Sequence, residues 1–116
     1  ILVYPIPEVG WRVPSKVNNQ FFIHKREFNI DNYITTSEKV YMERTKSSFE
    51  LLDSIKGDNI IKIYPHNLFC NTLIKNRCLT HDDKNIFYQD DDHPSAIGSM
   101  MINELILKEI DKIYRN

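Results

Sequence analysis

Apolar and polar positions along the chain predict three strands and three helices. Continuous apolar runs at residues 1–4, 59–64 and 85–88 are rich in β-branched and aromatic side chains, as in short buried strands. Helical spacing of apolar side chains follows the two candidate N-caps Ser37 and Ser95, and the last helix reaches about Tyr114. A further helix over 15–28 would start behind Pro14 and bury Val17, Phe21, Phe22 and Phe28.

The order of these elements predicts an α/β fold with a mostly parallel sheet. Strands alternate with helices, and residues 29–36 and 66–83 are connections, the second with a short helical turn near 68–74. Ligands in such folds collect at the carboxyl ends of the strands, where residues 5–8, 65–67 and 90–93 are expected. Because the chain opens within a strand and three strands make a thin sheet, we expect that further sequence precedes Ile1.

Composition excludes several classes of protein. The 116 residues are 41% hydrophobic and 27% charged, which is ordinary for one globular domain with a modest core. The net charge of −1 argues against a nucleic-acid binder, which usually carries a basic field. No apolar run approaches the roughly 18–20 residues of a membrane-spanning helix.

Asp90 and His93 are the strongest local candidates for chemistry. They follow the third predicted strand and directly precede the Ser95 cap. A carboxylate three residues before a histidine can bind one ring nitrogen and leave the other free to take a proton, as a general base requires. The alternative is a solvated acidic turn in which Asp90, Asp91 and Asp92 only stabilise the N-terminus of the next helix.

A metal site is a second alternative for this region, whose potential ligands are His81, Asp82, Asp83, Asp90, Asp91, Asp92 and His93. Hard cations favour such oxygen-rich loops. Calcium-loop, H-E-x-x-H and C-x-x-C patterns are all missing from the sequence, so we expect no metal and no other cofactor. We interpret His24, His66 and Glu8 as solvated residues, although the last two stand at strand ends.

The two cysteines, Cys70 and Cys78, stand eight positions apart in the 66–83 connection. Such a pair can close a disulfide in an oxidising compartment, and two unrelated thiols of a cytosolic protein are the alternative. Their spacing matches no zinc-binding pattern.

Five segments spread along the chain carry a family resemblance. They are Tyr4-Pro5-Ile6-Pro7-Glu8-Val9-Gly10-Trp11-x-Val13-Pro14, Tyr41-x-x-Arg44, Ile61-Lys62-Ile63-Tyr64-Pro65, Leu68-Phe69-Cys70 with Cys78, and Phe87-Tyr88-x-Asp90-x-x-His93-x-Ser95-x-x-Gly98. In this order, the set resembles the second half of SGNH/GDSL-type hydrolase domains fused to bacterial membrane acyltransferases. Pro94 departs from the family, which usually has Leu at that position.

The resemblance implies a three-layer α/β fold of the SGNH (flavodoxin-like) type, of which residues 1–116 are the C-terminal half. It implies that His93 is the base and Asp90 its orienting partner in a Ser-His-Asp triad, and that Cys70 and Cys78 pair. The implied activity is transfer or hydrolysis of O-acyl esters, usually on cell-envelope polysaccharide. A membrane acyltransferase domain upstream on the same chain and an extracytoplasmic, often periplasmic, location are also implied.

The family's nucleophile has no counterpart in this sequence. Its serine lies in a Gly-Asp-Ser block near the N-terminus of the domain, and neither that block nor the glycine and asparagine blocks of the oxyanion hole occur in residues 1–116. A base and an acid without these groups cannot run acyl transfer, so we expect the chain to be inactive alone. A non-catalytic carbohydrate- or partner-binding module on the same fold is the alternative.

Overall fold

A computed structural model describes residues 1–115 as helices and two small sheets. The strands are β1 (Leu2–Val3), β2 (Thr35–Ser37), β3 (Lys62–Ile63) and β4 (Arg77–Leu79). The helices are α1 (Val13–Val17), α2 (Glu38–Ser54) and α3 (Ala96–Tyr114), with 3₁₀ turns at Ile30–Asn32 and Pro65–Leu68. No helix within residues 1–115 has the length and apolar character to cross a membrane. The predicted mixture of helix and strand is confirmed.

Strands β1 and β3 pair in parallel and correspond to the first two predicted strands. Leu2 is aligned with Lys62, and Val3 with Ile63. Ile63 is buried, whereas Val3 is 44% exposed. The expectation that the first strand is buried is therefore wrong for the residues described, although Tyr4 directly after it is fully buried.

Strands β2 and β4 form an antiparallel pair in segments for which the sequence predicted only connections. Thr36 is aligned with Cys78. The Arg77 guanidinium donates to the hydroxyl of Thr35 at 2.8 Å and to its carbonyl at 2.9 Å. Because polar contacts hold this pair together, its strands lack the apolar alternation by which a sequence pattern reveals a sheet.

The third predicted strand, residues 85–88, is not a strand in the structure. The segment forms only isolated bridges with its neighbours in sequence. The Phe87 amide donates to the Thr80 carbonyl at 3.0 Å, and the Phe87 carbonyl accepts from the Ser95 amide at 2.8 Å. Since these local partners use its backbone groups, the segment does not join β1 and β3, and residues 1–115 do not contain one mostly parallel sheet.

The first helix spans a different range from the predicted 15–28. It begins at Val13 and continues beyond α1 as a wider π-helical segment, Asn18–Ile23. Lys25 then takes a left-handed conformation with φ of 51°, which turns the chain back. Phe28 returns to stack on Phe21 at a ring distance of 4.1 Å, while Phe22 is 64% exposed.

Both predicted serine caps are confirmed. The Ser37 hydroxyl accepts from the Val40 amide at 3.3 Å, and the Ser95 hydroxyl accepts from the Gly98 amide at 3.1 Å. The main core lies between the first helix and the β2–β4 pair and contains Val9, Val13, Val17, Phe21, Ile34, Phe69, Leu79, Phe87 and Tyr88.

Candidate active site

Asp90 and His93 lie in a loop that connects Tyr88 to the cap of α3. The Gln89 amide donates to the His93 carbonyl at 3.0 Å, and Tyr88 and Pro94 form a bridge on either side. These contacts close residues 89–93 into a compact turn. The turn therefore holds its side chains in a defined place at the N-terminal end of α3.

The Asp90 carboxylate organises this turn with both of its oxygens. Oδ1 accepts from the amides of Asp92 at 3.0 Å and of His93 at 2.7 Å. Oδ2 lies 2.8 Å from Nδ1 of the His93 ring. Asp92 Oδ1 lies at the same distance of 2.8 Å from that nitrogen. Nε2 of His93 has no hydrogen-bond partner among residues 1–115, so it is available to a proton from outside the turn.

The charges of the turn shift the pKa values of both groups. Hydrogen bonds from the backbone amides of His93 and Asp92, and then from the His93 ring, lower the pKa of Asp90 to about 2. The hydrogen bond that the His93 ring donates to Asp90 and the negative charges of Asp90 and Asp92 raise the pKa of His93 above its ordinary value. Around neutral pH, Asp90 is therefore a fixed carboxylate that orients the ring and stabilises its charged form.

The segment after β1 lies against the same turn. The amides of Val9 and Val13 donate to the carbonyls of Asp91 at 2.8 Å and Asp90 at 3.2 Å. Nearby, the buried Tyr88 hydroxyl donates to the Pro7 carbonyl at 2.8 Å. The segment that directly follows residues 5–8 thus contacts the 90–93 turn through backbone hydrogen bonds.

The family model described as "SGNH domain (fused to AT3 domains)" matches residues 1–108. The chain belongs to this family. The resemblance inferred from the sequence is thereby confirmed. A search of curated proteins and a search of solved structures each found no match.

Only some of the potential metal ligands predicted from the sequence lie close together in the SGNH domain. Asp90, Asp92 and His93 each offer a ligand atom within 4.8 Å of the others, and no other such group occurs in residues 1–115. His81 does not join them, because it is fully buried elsewhere. Its Nε2 accepts from the Ile34 amide at 3.0 Å, and its Nδ1 faces the Asp82 carbonyl at 2.9 Å. His81 therefore belongs to the core of the domain.

The serines next to His93 have structural contacts. The Ser95 hydroxyl donates to the Ile86 carbonyl at 2.7 Å in addition to capping α3. The Ser99 amide donates to the Ser95 carbonyl inside the helix at 2.8 Å. Ser95 thus anchors α3 to the segment before the turn.

Cys70 and Cys78 are joined by a disulfide in the structure. The bond lies beside the buried Tyr41 of α2, and Phe49 packs on the same cluster. The disulfide thus links the segment after the Pro65–Leu68 turn to strand β4. Its cluster is separate from the main core, which contains Tyr88 at the start of the loop that holds His93.

The remaining candidate residues have different environments. His24 is exposed, as predicted. His66 is not a solvated loop residue: its ring packs 5.4 Å from that of Tyr41 and 5.7 Å from that of Phe49, and burial lowers its pKa. Glu8 is exposed but lines a cavity of about 160 Å³ together with Arg44. In the sequence, the Tyr41-x-x-Arg44 pattern is the only signal that singles out Arg44.

Proposed function

We propose that this domain forms part of an acyl-ester transferase or hydrolase in which His93 is the general base. The observation that carries the proposal is the contact of 2.8 Å between His93 Nδ1 and Asp90 Oδ2, with Nε2 unpartnered among the described residues. The family described as SGNH domains fused to AT3 domains is consistent with acyl transfer. We infer that O-acyl groups of cell-envelope polysaccharide are the substrate.

The proposed reaction uses His93 Nε2 twice. It removes the proton of a serine hydroxyl supplied from outside residues 1–116, and the serine oxygen attacks the acyl carbon. The protonated ring then gives this proton to the leaving alkoxide as the acyl-serine forms. In the second half, Nε2 deprotonates the acceptor, a sugar hydroxyl for transfer or water for hydrolysis, and the acceptor oxygen attacks the acyl carbon. The acyl-serine bond then breaks, and the protonated ring returns the proton to the serine oxygen. Asp90 stabilises the imidazolium in both halves and remains ionised.

We also infer that β1 and β3 belong to a larger parallel sheet within a three-layer fold. A two-stranded parallel sheet is rarely stable alone, and parallel strands are usually covered on both faces. The 44% exposure of Val3 and the 60% exposure of Leu107 on α3 leave apolar surface for further elements. An AT3 acyltransferase domain on the same polypeptide is part of this proposal, and the family description supports it.

An extracytoplasmic location is proposed for the domain. The Cys70–Cys78 disulfide supports it, because disulfides persist in oxidising compartments such as the periplasm and are rare in the cytosol. Alkylation of the protein in intact cells with a thiol reagent, before and after reduction, measures the redox state directly. Two free thiols in the unreduced protein would contradict this location.

The catalytic proposal is tested on the complete natural polypeptide that carries this domain. We expect His93→Ala to lower kcat for hydrolysis of a chromogenic acetyl ester by at least about 10³-fold, as loss of a triad base does in other hydrolases. Asp91→Asn is the matched control, because the Asp91 side chain makes no hydrogen bond within residues 1–115 and only its carbonyl is used.

The outcomes of this test separate the two functions considered. A large loss in His93→Ala with near-normal activity in Asp91→Asn supports catalysis. Full activity in His93→Ala would refute the role of His93. That result would favour a non-catalytic carbohydrate- or partner-binding module, which also matches the lack of a Gly-Asp-Ser block in these residues.

A further inference from the structure

A polar cleft opens beside the first helix. It has a volume of about 470 Å³ and is lined by Lys16 and Gln20 of the helical segment, by Arg26 and residues 31–34, and by Thr35 of β2 and Arg77 of β4. A smaller cavity of about 310 Å³ shares Lys16, Gln20 and Arg26 with it. The two cavities are therefore adjacent, and we call them together the groove; Asp90 and His93 line neither of them.

Positive charge dominates this groove. Lys16, Arg26 and Arg77 come from three different segments and line the larger cavity, where Asp31 is the only carboxylate among the lining residues. This is a local excess of cations in a chain whose net charge is −1. A groove lined by one sign of charge concentrates ligands of the opposite sign.

Two of the cations are held in place by the domain. The Arg77 guanidinium is bonded to Thr35 through Nε and Nη2, and the residue is half-buried. Lys16 Nζ lies 4.2 Å above the centre of the Trp11 ring. Because these side chains are already ordered, less conformational entropy is lost when they bind an anion.

The groove also offers neutral groups that suit a sugar. The Gln20 side-chain nitrogen donates to the Asn32 carbonyl. This contact fixes the Gln20 side chain, whose amide oxygen can still accept a hydrogen bond from a ligand. Tyr33 supplies an aromatic wall and is itself packed against the His81 ring at 4.9 Å. Amide groups can form hydrogen bonds with the hydroxyls of a sugar, and a neighbouring aromatic ring can pack against the C–H groups of the sugar ring.

The groove begins close to the candidate active site. The Val13 amide is bonded to the Asp90 carbonyl, and Lys16 stands three residues further along the same helix. Three residues rise about 4.5 Å along a helix axis. Lys16, which lines both cavities, therefore stands within one helical turn of the residue whose amide contacts the His93 turn.

We propose that this groove binds an anionic saccharide, with Lys16, Arg26 and Arg77 contacting its acidic groups. This assignment gives the polysaccharide acceptor of the transferase an acidic character, and its biological role rests on the proposed function. Binding itself requires no catalysis. It can therefore be tested separately from the role of His93.

The test titrates tri-galacturonic acid into the complete natural polypeptide by calorimetry. Its trimethyl ester, which has the same sugars and no charge, is the matched ligand, and inorganic phosphate is the probe of charge alone. We expect the acid to bind at least about tenfold more tightly than the ester, as for loss of a charge-assisted hydrogen bond. Weaker binding at high salt is also expected, because salt screens exposed charges.

Variants locate the site. Lys16→Gln and Arg26→Gln, both at exposed positions, should each weaken binding of the acid by about fivefold or more. Lys46→Gln on α2 removes the same charge far along the chain from the groove and should leave binding unchanged. Equal weakening in Lys46→Gln, equal binding of the ester, or equal binding of phosphate would each overturn the proposal.

Failure of this inference can be distinguished from failure of the catalytic proposal. His93→Ala should bind the trisaccharide as the unaltered protein does while losing ester hydrolysis. If no anionic saccharide binds although His93→Ala abolishes activity, the groove assignment is wrong and catalysis stands. If binding follows the predicted variants although His93→Ala is fully active, the groove assignment stands and the catalytic proposal is wrong.

Discussion

Replacing Gly98 by alanine should displace α3 from the segment that precedes the His93 turn and destabilise the domain. A Cβ atom at this position would lie 2.2 Å from the Phe87 carbonyl oxygen and 3.3 Å from Pro94 Cβ. The nearer atom belongs to the backbone and cannot rotate away. The helix must therefore shift relative to Phe87, which also carries the carbonyl that accepts from the Ser95 amide at 2.8 Å.

The expected cost follows from opposing effects. Alanine in place of glycine favours a helix by about 1 kcal/mol. Forcing an extra methyl group into a packed site costs about 1–3 kcal/mol, with the upper end expected against rigid backbone. Weakening the two hydrogen bonds that Ser95 makes to Phe87 and Ile86 costs about 1 kcal/mol each. The net loss is therefore about 2–4 kcal/mol.

Urea denaturation monitored by circular dichroism measures this loss as a lower midpoint with an unchanged slope. Asn103→Ala is the matched control in the same helix, because Asn103 is exposed and alanine there should add about 0.5 kcal/mol. A Gly98→Ala protein that is as stable as the unaltered protein, or about 1 kcal/mol more stable, would refute the close approach at Phe87.

Three further changes have defined outcomes. Asp90→Asn should move the acidic limb of the pH–rate profile to lower pH, because loss of the hydrogen bond and negative charge lowers the pKa of His93; an unmoved limb would argue against their coupling. Replacing both Cys70 and Cys78 by alanine should lower the free energy of unfolding by about 2–3 kcal/mol, because the disulfide no longer restricts this short loop in the unfolded chain. Urea denaturation measures the loss, and an unchanged stability would contradict the disulfide. Tyr41→Phe should lower the free energy of unfolding by about 1 kcal/mol in the same assay, because the Tyr41 hydroxyl donates to the Pro5 carbonyl at 2.6 Å. An unchanged stability would argue against that hydrogen bond.

The sequence pattern predicted those elements whose apolar face or N-cap is formed by residues close together in the sequence. Ser37 and Ser95 were identified because a serine hydroxyl before a helical repeat has one common use, as an acceptor for a first-turn amide. The spacing of Asp90 and His93 similarly predicted a contact, since a tight turn of three residues leaves few other arrangements. In these places, short-range geometry determines the structure.

The pattern failed where partners distant in sequence decide the structure. Strand β2 forms because Arg77 bonds to Thr35 across 42 positions, which no local apolar spacing records. Residues 85–88 have the composition of a strand, but the backbone groups of this segment form hydrogen bonds with Thr80 and Ser95. These groups therefore do not pair with another strand. His81 looked like a potential ligand because it stands beside two aspartates, whereas the packing of Phe21 and Tyr33 on its ring makes it a core residue.

The two oxygens of Asp90 explain why it suits the orienting role better than its neighbour Asp92. Both carboxylates lie 2.8 Å from His93 Nδ1, but the Asp92 side chain accepts no backbone hydrogen bond within residues 1–115 and is 45% exposed against 35% for Asp90. Asp90 has its position fixed by two amides, and the same amides keep its pKa at about 2. It therefore stays ionised throughout the range in which His93 changes charge, as the proposed orienting role requires.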